Sequence, residues 1–257
     1  MAELLDIAGV HLDLHRWAGA DESKSGTPIL LLHEALGAAT TWRDFPELLA
    51  ARIGHPVIAW SRQGFGRSDP LPGPPAIDYL QREAARVPLL LDALGFRRAH
   101  LYGHSDGAAI ALITAALAPE RVAGLVLEAP HVTVEPQTAA AIVAVRDLYP
   151  NGELKRKLAR HHRDPDRVFA NWAETWLDPG FRNWSIEHLL PRVKAPTLLI
   201  QGKNDPYFSL GQLDRIARAV PAPRRLELAD CGHAPYRERT STVIETAAAF
   251  LQALENT

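Results

Sequence analysis

The chain has 257 residues, of which 47% are hydrophobic and 23% charged, with a formal net charge of −2. It is long enough for one large hydrophobic core, and its near-neutral charge supplies no basic field for nucleic acid or an anionic membrane. The one cysteine, Cys231, has no partner for an internal disulfide, which favours a reducing compartment. The first residues, "MAELLDIAGVHLDLHRW", are acidic and alternate in polarity. They lack the basic start and apolar core of a signal peptide. The longest run of small apolar residues, 108–118, is too short to span a membrane. The expectation is a cytoplasmic protein, a monomer or homodimer, acting on a small molecule.

In chain order, "HLDLHRW" (11–17) alternates with period 2, as a half-buried antiparallel strand does. The segments 28–34, 56–61, 99–104, 123–130, 196–202 and 224–230 read as strands covered on both faces. Helical patterns lie between them at 40–54, 78–95, 106–120, 211–221 and 240–256. Gly54, Gly95 and Pro119 mark helix ends, and Pro88 predicts a kink in the second helix. This alternation implies an α/β protein with a mainly parallel sheet and helices on both faces.

Residues 131–195 break the alternation. They read as helices at 136–149, 152–162, 165–177 and 185–190, and hold Trp172, Trp176 and Trp184. The pattern predicts a helical cap, 132–195, inserted between core segments 1–131 and 196–257.

The chemistry centres on "GHSDG", a G-x-S-x-G pattern at Gly103, Ser105 and Gly107, after a strand and opening a helix. A sharp strand-to-helix turn needs small neighbours and leaves the serine Oγ exposed. A serine needs a base, and the base an orienting carboxylate. His233, in "DCGHAPYRER" after the last strand, is the candidate base. His104 is too close to the serine in sequence to reach back to it. Asp205, in "QGKNDPYF", is the candidate acid, with Glu128 at the end of "LVLEAP" as the rival. The backbone amides of Ala35 and Asp106 are candidate donors to a developing oxyanion. His161 and His162, with Asp164, suggest a metal pair, but adjacent helical residues point apart, and the reading is a solvated face.

These pieces together resemble the α/β-hydrolase superfamily over nearly the whole chain. "HEALG" stands for the His-Gly oxyanion loop, "SRQGFGRSD" for the loop after the fourth strand, and "GHSDG" for the nucleophile elbow. "GKND" and the Gly232–His233 pair stand for the acid and base, in the family's order Ser105, Asp205, His233. There are departures: Glu34 replaces the oxyanion-loop glycine, where it would oppose negative charge or bond Ser61 or Arg62, and Ala108 replaces a frequent second glycine. The nucleophile position is serine, which argues against the family's aspartate chemistry, since Asp106 stands one position off.

The resemblance implies a serine hydrolase of small esters, lactones or thioesters, with no cofactor and no metal. Carbon–carbon bond hydrolases of meta-cleavage products, cofactor-free dioxygenases and non-catalytic receptors share the fold and are the alternatives. His33, Glu34, His104, His131, Trp172 and Trp176 are the candidate substrate contacts.

Overall fold

The computed structural model describes residues 2–18, 26–150 and 152–255. The remaining positions of the expected core, cap and last-helix ranges lie outside those described residues.

Eight strands form one sheet in the order β1-β2-β4-β3-β5-β6-β7-β8. β1 (Ala2–Ile7) and β2 (Val10–Trp17) are antiparallel to their neighbours. From β4 (Val57–Trp60) through β3 (Ile29–Leu32), β5 (Ala99–His104), β6 (Val122–Glu128), β7 (Thr197–Gly202) and β8 (Arg224–Leu228) every pairing is parallel. β1 is an addition to the expected elements. Its turn, Ala8–Gly9, has φ of 53° and 82°, as a two-residue hairpin turn requires. Ala-Gly carries a weaker turn signal than Asn-Gly or Asp-Gly, so the hairpin is hard to read in advance.

Period-2 alternation divides the strands between two cores. Leu30, Leu32, Ile58, Trp60, Leu101, Leu125 and Leu127 face one side. There they meet α2 (Tyr79–Ala93) and α3 (Asp106–Leu117). Ile29, Leu31, Val57, Ala59, Tyr102, Val126 and Ile200 face the other, against α1 (Phe45–Ile53) and α9 (Thr240–Glu255). β8 corrects its reading as a strand covered on both faces. It is a sheet edge whose Arg224, Arg225 and Glu227 are exposed.

Helix ends follow the expected punctuation. Gly54 is left-handed, φ 80°, and its amide donates to the Ala50 carbonyl. The kink expected at Pro88 does not end α2, which runs on to Ala93. The Ala84 carbonyl that proline leaves unpaired lies 3.4 Å from the Thr114 hydroxyl of α3.

Residues 132–195 carry α4 (Pro136–Leu148), α5 (Glu153–Leu158), α6 (Pro165–Leu177) and 3₁₀ turns at Pro179–Phe181 and Glu187–Arg192. The segment expected as a helix at 185–190 takes the tighter 3₁₀ form. Ile142, Leu158, Phe169, Trp176 and Leu190 join the core of the α2/α3 face, so this segment is anchored by burial. α7 (Gly211–Ala219) and the short α8 (Pro235–Glu238) complete the chain. No helix among the described residues is long and apolar enough to cross a membrane.

α3 presses hardest on the sheet at its first turn. A Cβ on Gly107 would overlap the Leu32 carbonyl of β3, and one on Gly103 would overlap the Gly107 carbonyl. Both obstacles are backbone, which cannot swing aside. Gly107→Ala is therefore expected to lower unfolding stability by more than about 2 kcal/mol, read from urea midpoints. An unchanged midpoint contradicts the close approach.

Candidate active site

Ser105 sits between β5 and α3 at φ 53°, ψ −115°, a conformation sparsely populated by non-glycine residues. Strain of this kind costs about 1–3 kcal/mol and persists only where the surroundings enforce it. Here the surroundings are backbone: the Ser105 amide donates to the Glu128 carbonyl at 2.9 Å, and its carbonyl accepts from Ala108 and Ala109. The side chain lines a cavity of about 230 Å³ together with Glu34, Ala35, His104, Asp106 and His233.

His233 reaches that cavity from the loop after β8. Its carbonyl accepts from His104 Nε2 at 2.6 Å, and Glu238 accepts from the Gly232 amide at 2.7 Å. Its Nδ1 bonds Asp205 Oδ2 at 2.7 Å, which leaves Nε2 as the acceptor nitrogen. The Asp205 side chain is fully buried at the end of β7. Its Oδ1 accepts from the Tyr207 amide at 2.8 Å and the Phe208 amide at 3.2 Å, and Gln201 Nε2 donates to Oδ2 at 2.7 Å. Burial alone would raise its pKa, but the His233 charge and these hydrogen bonds outweigh it and hold the carboxyl below its ordinary value.

Two buried carboxyls flank this arrangement. Asp106 accepts from the Tyr79 hydroxyl at 2.7 Å and faces Arg62 at 3.6 Å. Burial raises its pKa against the opposing pull of Arg62. The Glu34 carboxyl lines the cavity, and its Oε2 is buried without a partner. Burial lifts it to about 7, again against Arg62 and His233. The Ala35 and Asp106 amides stand at the adjoining turn and helix start, and both residues line the cavity.

α4, α5 and α6 roof this space with Ile142, Leu158, Trp172 and Trp176. Among the described residues, no cluster of three His, Cys, Asp or Glu is placed to hold a metal ion.

The chain is similar to known proteins over most of its length. Residues 29–246 match the model of the alpha/beta hydrolase family. The human "Serine hydrolase BPHL" is 31% identical over 228 residues, covering 85% of this chain and 75% of that protein. "Putative carbamate hydrolase RutD" of Azorhizobium caulinodans is 45% identical over 231 residues, covering 82% and 85%. The chain belongs to the alpha/beta hydrolase family. Its fold superposes on the crystal structure of a membrane phospholipase A with a TM-score of 0.81 at 23% identity, covering 100% of this chain and 87% of that one.

Within this alpha/beta hydrolase the expected residues separate into two groups. Ser105, Asp106, Ala35, Glu34, His104, Trp172, Trp176 and His233 line one cavity, and Asp205 stands behind His233. Two candidate substrate contacts do not line it. His33 is buried in the turn after β3, where Nδ1 donates to the Glu34 carbonyl at 2.7 Å and Nε2 accepts from the Arg62 amide at 3.1 Å. His131 is buried against Phe208, with ring centroids 4.5 Å apart.

Glu34 bonds neither Arg62 nor Ser61 through its carboxyl; its carbonyl accepts from Arg62 Nη2 at 2.9 Å. His162 corrects the reading of a solvated face. It is buried, with Nδ1 accepting from the Gly66 amide at 3.0 Å and Nε2 donating to the Leu36 carbonyl at 2.9 Å. That imidazole ties the turn between α5 and α6 to two loops of the sheet, and burial lowers its pKa to about 4, so it is neutral. His161 bonds the Thr40 hydroxyl at 2.9 Å.

Tyr79, Gln201 and Tyr207 were not anticipated. They sit on ordinary helix, strand and loop positions, and only the folded distances mark them.

Glu128, the rival acid, is buried and does not line the cavity. It accepts from the Tyr102 hydroxyl and from the Tyr236 amide at 3.1 Å. Burial, without a cation to offset it, pushes it up to about 8. Asp205→Asn is expected to lower kcat on an activated ester by at least about a thousandfold, because the imidazole loses its tautomer and charge partner, whereas Glu128→Gln lowers it by less than about tenfold. The reverse order makes Glu128 the acid.

Glu128 also sets a pH dependence of stability. Its folded pKa is raised, so the folded state holds a proton that the unfolded state releases above about 4.5. This contribution to stability is fully present below that pH and is lost as pH rises through about 8. Urea midpoints of Glu128→Gln are expected to fall less between those limits than those of the parent; parallel curves contradict this.

Proposed function

We propose that this alpha/beta hydrolase is a serine hydrolase of small ester-type carbonyl substrates, carboxylic ester, lactone or thioester, acting through an acyl-enzyme on Ser105. One juxtaposition carries the reading. Ser105, held in strained backbone, shares a cavity with His233, whose Nδ1 is tied to buried Asp205 at 2.7 Å.

In this reading His233 Nε2 takes the Ser105 hydroxyl proton as Oγ bonds to the carbonyl carbon. The Ala35 and Asp106 amides receive the oxyanion, each worth about 3–4 kcal/mol in such chemistry. As the tetrahedral intermediate collapses, His233 gives the proton to the leaving group. Water, deprotonated by the same nitrogen, then releases the acid and restores Ser105. Asp205 keeps the imidazole in the required tautomer and stabilises it when charged. The neutral form of Glu34 favours the oxyanion, since a carboxylate there would oppose it. The chain's own residues supply every group in this scheme, which invokes no cofactor. The proposal includes a cytoplasmic location.

Carbamate hydrolysis is the second reading. It is supported by the 45% identity to the Azorhizobium caulinodans relative, whose name gives that activity, and it uses the same attack at a carbonyl carbon.

A fluorophosphonate probe is expected to label the parent chain and to leave Ser105→Ala unlabelled, with unchanged circular dichroism showing that the variant is folded. Repeated turnover of a chromogenic ester is expected from the parent and about a 10⁵-fold or greater loss from the variant. Labelling of Ser105→Ala at the parent rate sinks the assignment.

A further inference from the structure

The cavity that holds Ser105 joins apolar walls to three cationic side chains. Leu36, Ile142, Leu158, Trp172 and Phe208 line it beside polar groups such as Thr41, Thr138 and Tyr207, and Arg43, Lys157 and Arg237 are also in its lining. These three cations come from separate elements: the turn before α1, helix α5, and α8 just past His233. All three are exposed, which places them at the mouth of the cavity rather than in its interior.

Lys157 has a counterion, Glu153, at 2.9 Å on its own helix. Arg43 and Arg237 have no carboxylate partner among the described residues. The two acidic side chains of the lining do not supply one. Asp106 is buried and engaged by Tyr79 and Arg62. Glu34 is buried beside the oxyanion turn, and its burial favours the neutral form.

The convergence is visible from a neighbour. His161, also in the lining, is disfavoured as a cation first by burial and then by Arg43, Arg160 and Arg237. Like charges brought together without a counterion cost stability. A net charge of −2 for the whole chain means that composition does not force such a cluster. Arg43 carries a further cost, with φ 53° and ψ −125°, where glycine would be less strained.

We propose that the substrate of this site is an anionic carbonyl compound, with a carboxylate remote from the scissile carbonyl that Arg43 and Arg237 receive at the rim of the cavity. The proposal rests on the hydrolase reading above and narrows its substrate class. A short hydrocarbon chain fits the apolar walls. A carboxylate is too costly to desolvate among them and remains at the exposed end, where guanidinium groups pair with it in a two-pronged geometry. The same field draws anionic substrates toward the entrance, so the preference weakens with salt.

The test compares esters that differ only in charge. On the acyl side these are the p-nitrophenyl esters of hydrogen adipate and methyl adipate. On the leaving-group side they are the butanoate esters of 4-hydroxybenzoate and of its methyl ester. In at least one pair, kcat/KM is expected to favour the anion by about tenfold or more at about 20 mM ionic strength, and by several-fold less at about 0.5 M. The responding pair tells whether the carboxylate lies on the acyl or the leaving group. In the double variant R43Q/R237Q the anion-to-neutral ratio is expected to fall by about tenfold. Ratios near one in both pairs, or a preference that salt and the double variant leave unchanged, overturn the proposal while turnover of the neutral esters upholds the hydrolase reading. No turnover of any of the four overturns both.

Discussion

The contact of α3 with β3 and β5 is the constraint on which the site depends. Gly103 and Gly107 let two backbones approach where any Cβ would collide. The chain between strand and helix is then too short for a relaxed turn, and Ser105 takes the strain. That cost, about 1–3 kcal/mol, is small beside what the contact gains. Every residue of α3 from Asp106 to Ala116 is buried, including Ile110, Leu112 and Ile113, each worth about 1.5–3 kcal/mol on burial. Hydrophobic burial of the helix therefore outweighs the strain several-fold and holds the serine in place.

Three buried carboxyls show how environment divides one chemical type into different states. Asp205 meets an imidazole, an amide side chain and two backbone amides, and stays below its ordinary value. Glu128 meets a tyrosine hydroxyl and one amide but no cation, and rises to about 8. Glu34 has an unpartnered oxygen and rises to about 7 even with Arg62 and His233 opposing. Burial penalises all three alike. The number of donors and the presence of a cation decide which one is held as an anion.

The helical segment over the site is held by two kinds of contact. Its apolar side merges with the core of the α2/α3 face, which fixes its height above the sheet. His162 adds a polar tie, since a neutral imidazole can donate to the Leu36 carbonyl and accept from the Gly66 amide at once. Trp172 and Trp176 of α6 line the cavity. The Trp176 indole also donates to the Tyr79 hydroxyl at 3.1 Å, which in turn donates to Asp106. The roof is thus linked by hydrogen bonds to the first residue of α3.

The sequence by itself determined the α/β class, the parallel sheet and the Ser105 turn. Those rest on short-range signals: strand and helix periods, and glycines two residues either side of a serine. It also brought Asp205 and His233 to notice, because each follows a strand end in a polar loop. It misjudged His162 as solvated, since the helix expected over 152–162 ends at Leu158 and the turn that follows is buried against loops distant in sequence. It missed β1, whose Ala8–Gly9 turn is an uncommon hairpin dipeptide. Only the tertiary structure decided that Glu128 bonds Tyr102 and Tyr236 and does not line the cavity, that His33 and His131 are buried outside its lining, and that Arg43 and Arg237 both line it. These pairs are separated by up to about two hundred positions along the chain, and no local pattern encodes which of them the fold brings together.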